Sequence, residues 1–192
     1  MGEPHTRARA LITLQRHFAP PSGADELAVA LLEDLREMLA ALRLRVLPDA
    51  APNASTIAAA AGAGPLLALF ADVPALPPLA VEAAIDALES ADVALGPCAD
   101  GSLYLLGLRA GLDSGLAGEI AAAALAPGAL HALADLCDDA ELAVALLPPW
   151  FRLASENELS FAESLARLSL MSEEGEEDFV GDRLRLWFEQ QT

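Results

Sequence analysis

The sequence contains no lysine, since all 11 basic residues are arginines, against 29 aspartates and glutamates. This absence excludes Schiff-base chemistry and the phosphate-binding lysine of a P-loop. Only two cysteines, Cys98 and Cys137, are present, and without a CxxC spacing they indicate neither a zinc site nor a disulfide framework. We interpret Cys98 as a small residue rather than a reactive thiol. The net charge of −18 argues against nucleic acids and membranes as partners, because phosphate backbones and anionic lipid surfaces would be repelled.

The sequence also lacks an apolar run that could span a membrane. The longest uncharged stretch, Ala50–Ala71, is interrupted by Pro52, Asn53 and Pro65. The charged segment Met1–Arg9 does not resemble a signal peptide, because no apolar region follows it immediately. At 192 residues the chain suits one domain with a sizeable core. We therefore expect a cytoplasmic protein.

One short apolar run ends abruptly at an acid. Leu66–Ala71 has the pattern of a strand covered on both faces, and Asp72, Val73 and Pro74 follow it. Open α/β sheets bind ligands just outside the carboxyl ends of their strands, where a carboxylate can hold a divalent cation against a diphosphate. Alternatively, Asp72 caps the turn or the next helix, as acids before proline-rich turns commonly do. The residues alone leave both interpretations open.

Around this segment, strand and helix patterns alternate. The predicted strands are Arg9–Leu14, Arg43–Leu47, Leu66–Ala71, Ala91–Gly96, Ser102–Leu108 and Glu141–Leu147. The predicted helices are Asp25–Leu42, an alanine-rich helix capped by Asn53 or Ser55 and ending at Gly62, Leu79–Ser90, Asp113–Leu125 and Pro127–Leu136. This order predicts an α/β fold with right-handed crossovers and a mainly parallel sheet flanked by helices. On the longest helix, we interpret Glu33, Asp34 and Glu37 as a solvated face.

Two blocks of the sequence resemble a known family. ADVPALPP, residues 71–78, and ADVALGPCADGSLYLLGL, residues 91–108, are similar to the "D-x-P-x-L-P" and "V-L-G-P-x-x-D-G-G-Y-Y-L-L-G-L" blocks of the radical-SAM/selenodomain-associated transferases, the arsenosugar-biosynthesis type. These are glycosyltransferase-A-like relatives of the molybdenum-cofactor and phospholactate guanylyltransferases. The resemblance implies a three-layer nucleotide-diphospho-sugar transferase fold over residues 1–170, of which this chain would be a divergent member.

The resemblance also implies a site. Asp72 would hold Mg²⁺ or Mn²⁺, and a nucleotide or nucleotide sugar would occupy the pocket beside it. The pocket residues implied are Asp72, Pro74, Asp100, Gly101, Ser102 and Arg16. No catalytic residue is identified.

The chain departs from the family pattern at three places. The segment Gln15–Pro20, QRHFAP, stands where the family's glycine-rich phosphate loop should end and contains no glycine. Either the loop has been deleted or the earlier segment GEPHTR, residues 2–7, is a displaced remnant, and both cases predict a poor phosphate site. Ser102 replaces the second glycine of "D-G-G". After the last strand, Arg152 and Ala154 stand where the family has two further acids. Glu156 or Glu158 could compensate through a shift of register.

Two functional hypotheses follow from these departures. The favoured one is a degenerate member that kept the fold and serves as a binding or assembly subunit. The alternative is an active metal-dependent glycosyl- or nucleotidyltransferase acting on a small-molecule acceptor. Acids close to Asp72 would support the active enzyme, whereas an Arg152–Asp72 pair would speak against it.

The C-terminal part of the chain differs in composition from the rest. Residues 171–178 are predicted to form an acidic linker, and residues 179–192 an amphipathic helix. Leu184, Trp187 and Phe188 share one face of that helix. This face either packs back onto the domain or docks on a protein partner or a second subunit.

Overall fold

The computed structural model describes residues 8–13, 23–48, 53–169, 171 and 181–191. In these residues six strands form one sheet. They are β1 (Arg9–Thr13), β2 (Arg45–Val46), β3 (Leu66–Phe70), β4 (Val93–Pro97), β5 (Leu103–Leu108) and β6 (Val144–Leu146). The sheet order is β2-β1-β3-β5-β4-β6. Five of the strands run parallel to one another, and β5 runs antiparallel to its neighbours β3 and β4. The predicted mainly parallel α/β sheet is confirmed.

The antiparallel strand arises from a tight hairpin between β4 and β5. Cys98 donates its backbone N–H to the carbonyl of Ser102, and Gly101 donates to the carbonyl of Cys98. Gly101 has φ of +82°, a left-handed conformation that glycine adopts without steric cost. The hairpin places β5 between β3 and β4, so all six of its residues are buried at the centre of the sheet.

Seven helices accompany the sheet in the described residues. They are α1 (Ala24–Ala41), α2 (Ala54–Ala61), α3 (Pro78–Ala87), α4 (Ser114–Ala124), α5 (Ala129–Asp139), α6 (Glu156–Ser169) and α7 (Asp182–Gln191). Asn53 caps α2, as predicted, through a reciprocal capping box with Thr56. Asp113 caps α4 by accepting the N–H groups of Gly115 and Leu116. Every one of these helices is too short or too polar to cross a membrane.

The predicted elements are found, but two strands are shorter than expected. The region Arg43–Leu47 contributes only Arg45–Val46, since Arg43 takes a left-handed φ of +57° at the end of α1. Likewise Glu141 has φ of +51° after α5, and pairing with β4 extends only over Val144–Leu146. Apolar composition predicted both strands. Each strand begins later than predicted because a residue in a left-handed conformation follows the preceding helix.

The core consists of two clusters. The larger one is centred on β3 and β5, whose residues are all buried, and it includes the inner faces of α1 to α5. The smaller one joins α1, α6 and α7. Leu184, Trp187 and Phe188 belong to this second cluster and are 0%, 6% and 9% exposed. Of the two interpretations of this face, packing back onto the domain agrees with the structure, because α1 and α6 cover these three residues.

The prediction of a solvated acidic face on α1 is wrong for Asp34. Asp34 is 7% exposed, and its carboxylate accepts the backbone N–H groups of Arg183 and Leu184 at 3.1 and 3.0 Å. The Arg183 side chain forms ion pairs with Glu33, at 2.8 Å, and with Glu37. Asp34 therefore holds the first turn of α7 and does not belong to a solvated face. Glu33 and Glu37 are exposed, as predicted, and pair with Arg183 at the surface. Residues 172–180, which contain most of the predicted linker, lie outside the described residues.

Candidate functional site

The carboxyl ends of three parallel strands meet at one edge of the sheet. Asp72 follows β3, Cys98 follows β4, and the segment Trp150–Leu153 follows β6. Because parallel strands end at the same edge, residues far apart in sequence become neighbours there. This edge is where the sequence placed the candidate site.

Asp72 and Arg152 form a buried bidentate ion pair at this edge. Arg152 Nε lies 2.7 Å from Asp72 Oδ1, and Arg152 Nη2 lies 2.8 Å from Oδ2. Each residue is only 4% exposed. The guanidinium carbon lies 4.2 Å from the centroid of the Phe70 ring, within the range of a cation–π contact. The two charges therefore neutralise each other where water has little access.

Backbone hydrogen bonds fix the segment that carries Arg152. Leu153 donates its N–H to the Asp72 carbonyl at 2.9 Å, and Trp150 donates its N–H to the Pro97 carbonyl at 3.0 Å. The indole Nε1 of Trp150 also donates to the carbonyl of Pro74, at 3.0 Å. The segment after β6 is thus attached both to the turn after β3 and to the end of β4, which directs Arg152 at Asp72.

This arrangement does not fit a divalent cation held between Asp72 and a second acid. Both Asp72 oxygens accept hydrogen bonds from Arg152, which brings a positive charge to the position that a cation would need. Within residues 8–13, 23–48, 53–169, 171 and 181–191, no group of three or more His, Cys, Asp or Glu residues could hold a metal ion.

Of the two acids that could compensate, Glu158 interacts locally and Glu156 is exposed. Glu158 accepts a hydrogen bond from the Ser155 hydroxyl near the start of α6, which is a local interaction of a helix terminus. Glu156 is exposed in the first turn of the same helix. Arg16 lies outside the described residues, as does the rest of Gln15–Pro20, so the prediction of a poor phosphate site stays a prediction.

The remaining predicted pocket residues divide into two groups. Pro74 is buried in the turn after β3, where its carbonyl receives Trp150. Asp100, Gly101 and Ser102 form the hairpin turn, in which Asp100 is exposed. Asp100 Oδ1 accepts hydrogen bonds from the Ser102 N–H at 3.0 Å and from the Ser102 hydroxyl at 2.6 Å. Asp100 therefore stabilises its own turn.

Cys98 and Tyr104 pack beneath this edge. Burial raises the pKa of the Cys98 thiol to about 11, which keeps it protonated at neutral pH and agrees with its interpretation as a small residue. Burial likewise raises the pKa of Tyr104 to about 12, and its hydroxyl donates to the Pro148 carbonyl at 2.9 Å. The Tyr104 ring lies over Gly96, where an added Cβ would be 2.5 Å from the ring. Glycine at this position makes room for the ring.

Sequence reasoning missed a series of aromatic side chains that contact one another beside the ion pair. The Trp150 and Phe151 rings are 5.5 Å apart, and the Phe151 and Phe161 rings are 4.9 Å apart with an edge-to-face geometry. The aromatic dipeptide Trp150-Phe151 directly before Arg152 was the available sequence signal. No sequence signal indicated Phe161, because it lies in α6, the next element along the chain.

Comparisons with known proteins give the fold a broader context. A family described as uncharacterized proteins conserved in bacteria (DUF2064) matches residues 33–124, which extend from α1 to α4. The comparison with curated proteins found no match. Rv0371c from Mycobacterium tuberculosis H37Rv is 13% identical with a TM-score of 0.49, over 83% of this chain and 98% of that chain. Its homolog from mycobacterium sp. strain JC1 is 14% identical with a TM-score of 0.48, over 86% of this chain and 100% of that chain. Both similarities are too low to support an argument.

One solved structure is similar enough to show the fold. A candidate nucleotide-diphospho-sugar transferase from Desulfovibrio desulfuricans G20 superposes with a TM-score of 0.67 at 18% identity, over 93% of this chain and 94% of that chain. At this identity the similarity shows the fold and not the activity. The chain therefore has an α/β nucleotide-diphospho-sugar transferase-like fold, with a mainly parallel six-stranded sheet.

Proposed function

We propose that this protein is a divergent member of the glycosyltransferase-A-like group that has lost metal-dependent transfer and acts as a binding or assembly subunit. The observation that carries the proposal is the buried bidentate pair between Asp72 and Arg152. In an active relative of the type implied by the sequence, a carboxylate at the end of this strand would hold the cation that neutralises a leaving diphosphate. Here that carboxylate faces a guanidinium.

Electrostatics support the same proposal. An arginine pointing into solvent at this edge could itself bind a phosphate, but the Arg152 side chain is only 2% exposed and uses Nε and Nη2 on Asp72. Its Nη1 lies 3.4 Å from the carbonyl of Leu103. The pair therefore stabilises the edge of the sheet and offers no charge to an incoming diphosphate. The net charge of −18 adds a long-range repulsion against nucleotides.

Isothermal titration with nucleotide ligands tests the proposal. UDP-sugars, GDP-sugars and GTP are titrated into the purified protein with Mg²⁺ or Mn²⁺ and again with EDTA. The proposal expects no binding that depends on the metal, so the two series should agree. Asp72→Asn is measured beside Asp92→Asn, which removes an acid from the Asp92–Arg109 ion pair elsewhere on the chain.

The two variants separate the possible outcomes. Metal-dependent binding that Asp72→Asn abolishes and Asp92→Asn leaves unchanged would overturn the proposal and favour the active metal-dependent transferase. Titrations that agree with metal and with EDTA would support the proposed loss of metal-dependent transfer. Circular dichroism of each variant checks that the fold is retained.

A further inference from the structure

A groove with a volume of about 490 Å³ lies between α1 and α7. Helix α7 packs on α1 through the second core cluster, and the groove lies along their shared boundary. The residues that line it are Asp25, Glu26, Val29, Ala30, Glu33, Arg183, Leu186, Trp187 and Gln190. All of them belong to these two helices, so the groove is separate from the strand ends that carry Asp72 and Arg152.

The groove contains an apolar strip that is incompletely covered. Val29 on α1 is 53% exposed and Leu186 on α7 is 50% exposed, while Ala30 and Trp187 between them are buried. A single exposed apolar residue on a protein surface needs no explanation, but two on facing helices above a buried indole form a continuous apolar surface. Two packed helices of this kind present a surface that a third helix can fill.

The charges around the apolar strip indicate the charge of the partner. Among the described residues, three acids, Asp25, Glu26 and Glu33, and one arginine, Arg183, line the groove. Arg183 pairs with Glu33, Asp34 and Glu37. The groove is therefore acidic on a chain of net charge −18. A second copy would bring the same acids to an isologous contact, and nucleotides or nucleic acids would be repelled. The excess of acids over arginine in the groove favours a cationic partner.

We infer that the α1/α7 groove binds a basic amphipathic helix of a partner protein. An apolar residue of that helix would pack between Val29 and Leu186, and arginines or lysines beside it would face Glu26 and Asp25. The inference rests on the proposed binding role and names its surface and partner chemistry. Helix-in-groove recognition of this type combines apolar anchors at helical spacing with complementary charge.

A designed peptide tests the inference on the full-length protein. The probe is a labelled peptide of about four helical turns, with leucines on one face and lysines on the other. One comparison peptide has glutamate in place of every lysine, and another has the same composition in scrambled order. Fluorescence anisotropy is expected to show binding of the basic amphipathic peptide and neither of the others.

Matched variants locate the binding. The double variant Val29→Gln with Leu186→Gln is expected to weaken binding about tenfold, because it removes the apolar anchor site. Leu79→Gln, at a 75% exposed leucine on α3, is the control and should leave binding unchanged. Glu26→Gln should weaken binding about twofold to fivefold, whereas Glu82→Gln on α3 should not.

Three results of the peptide experiment would overturn the inference. These are equal binding by the groove variants and by Leu79→Gln, equal effects of Glu26→Gln and Glu82→Gln, and binding of the scrambled peptide. A concentration-dependent dimer that the Val29 and Leu186 substitutions dissolve would show that a second copy occupies the groove instead. If the protein bound both the peptide and, in a metal-dependent way, a nucleotide, the proposed loss of transfer would be wrong. The assignment of the groove would still hold.

Discussion

At the scale of single residues, the Asp72–Arg152 pair has two consequences that come from the same geometry. Two opposite charges that are each 4% exposed must compensate each other, because a buried charge without a partner is strongly unfavourable. The bidentate contact provides that compensation and also occupies both oxygens of the carboxylate. In the function that we propose, the interaction that stabilises this edge of the sheet is also the one that withholds Asp72 from a cation.

Removing the guanidinium should be costly. Arg152→Met is expected to lower the free energy of unfolding by about 3–5 kcal/mol, because it removes the guanidinium that neutralises the buried Asp72 carboxylate. The double variant Asp72→Leu with Arg152→Met should recover much of this loss, since two apolar residues need no partner. Urea unfolding of the two variants, Asp72→Leu and wild type completes the double-mutant cycle.

The control for this prediction is Arg109→Met. Arg109 pairs with Asp92, but its side chain is 48% exposed, so its loss should cost less than about 1 kcal/mol. If Arg152→Met were as mild as Arg109→Met, Asp72 would have other means of compensation. The pair would then no longer carry the proposed function.

At the scale of elements, α7 is attached to α1 by an unusual cap. The first N–H groups of a helix have no partner within the helix, and a side chain near in sequence normally accepts them. In α7 the acceptor is Asp34, about 150 residues earlier in the chain. Sequence patterns predicted both helices and the apolar face of α7. They did not predict the cap, because a cap contributed by another element leaves no local motif.

The titration of Asp34 should be visible in the stability of the protein. Burial raises the pKa of Asp34 above its ordinary value of 3.8, and the N–H groups of Leu184 and Arg183 oppose that rise only in part. The folded state therefore holds this proton more tightly than the unfolded state does. As the pH rises from about 3.8 to the raised pKa, the contribution of Asp34 to the free energy of unfolding should fall, and above that pKa it should stay constant.

Comparison with Asp34→Asn isolates this contribution. Urea unfolding of both proteins at a series of pH values gives the difference in free energy, wild type minus variant, which should decrease with rising pH across this window. Asp86→Asn, at an exposed acid of α3, corrects for the loss of one negative charge from the chain. A difference that instead increases with pH would mean that the backbone hydrogen bonds and Arg183 outweigh burial.

At the scale of the whole molecule, most of the fold was predictable and part of the site was not. Continuous apolar runs such as Leu66–Phe70 identify central strands because they are buried on both faces, and the alternation with helices then gives the parallel sheet. The placement of Asp72 at a strand end follows from the same pattern. Its pairing with Arg152, 80 residues later, depends on the hydrogen bonds of Trp150 and Leu153. The sequence left two possibilities open, an Arg152–Asp72 pair or further acids close to Asp72.

The excess of acids should make the stability of the whole chain respond to salt. The 29 acids outnumber the 11 arginines, and the mutual repulsion of the excess carboxylates opposes the compact state. Raising NaCl from about 20 mM to about 500 mM shortens the screening length to a few ångströms. We expect a gain of about 1 kcal/mol at pH 7, seen as a rise of about 2–4 °C in Tm by circular dichroism.

The same titration at lower pH is the internal control for this prediction. As the pH approaches the sequence pI of 4.2, the net charge falls and the rise in Tm with salt should shrink. A fall in Tm with salt at pH 7 would contradict the prediction. It would mean that screening of the favourable pairs, such as those of Arg183 with Glu33 and Glu37, outweighs relief of repulsion. The sign of the salt effect thus decides whether the acids of this chain act mainly through their few arginine partners or through one another.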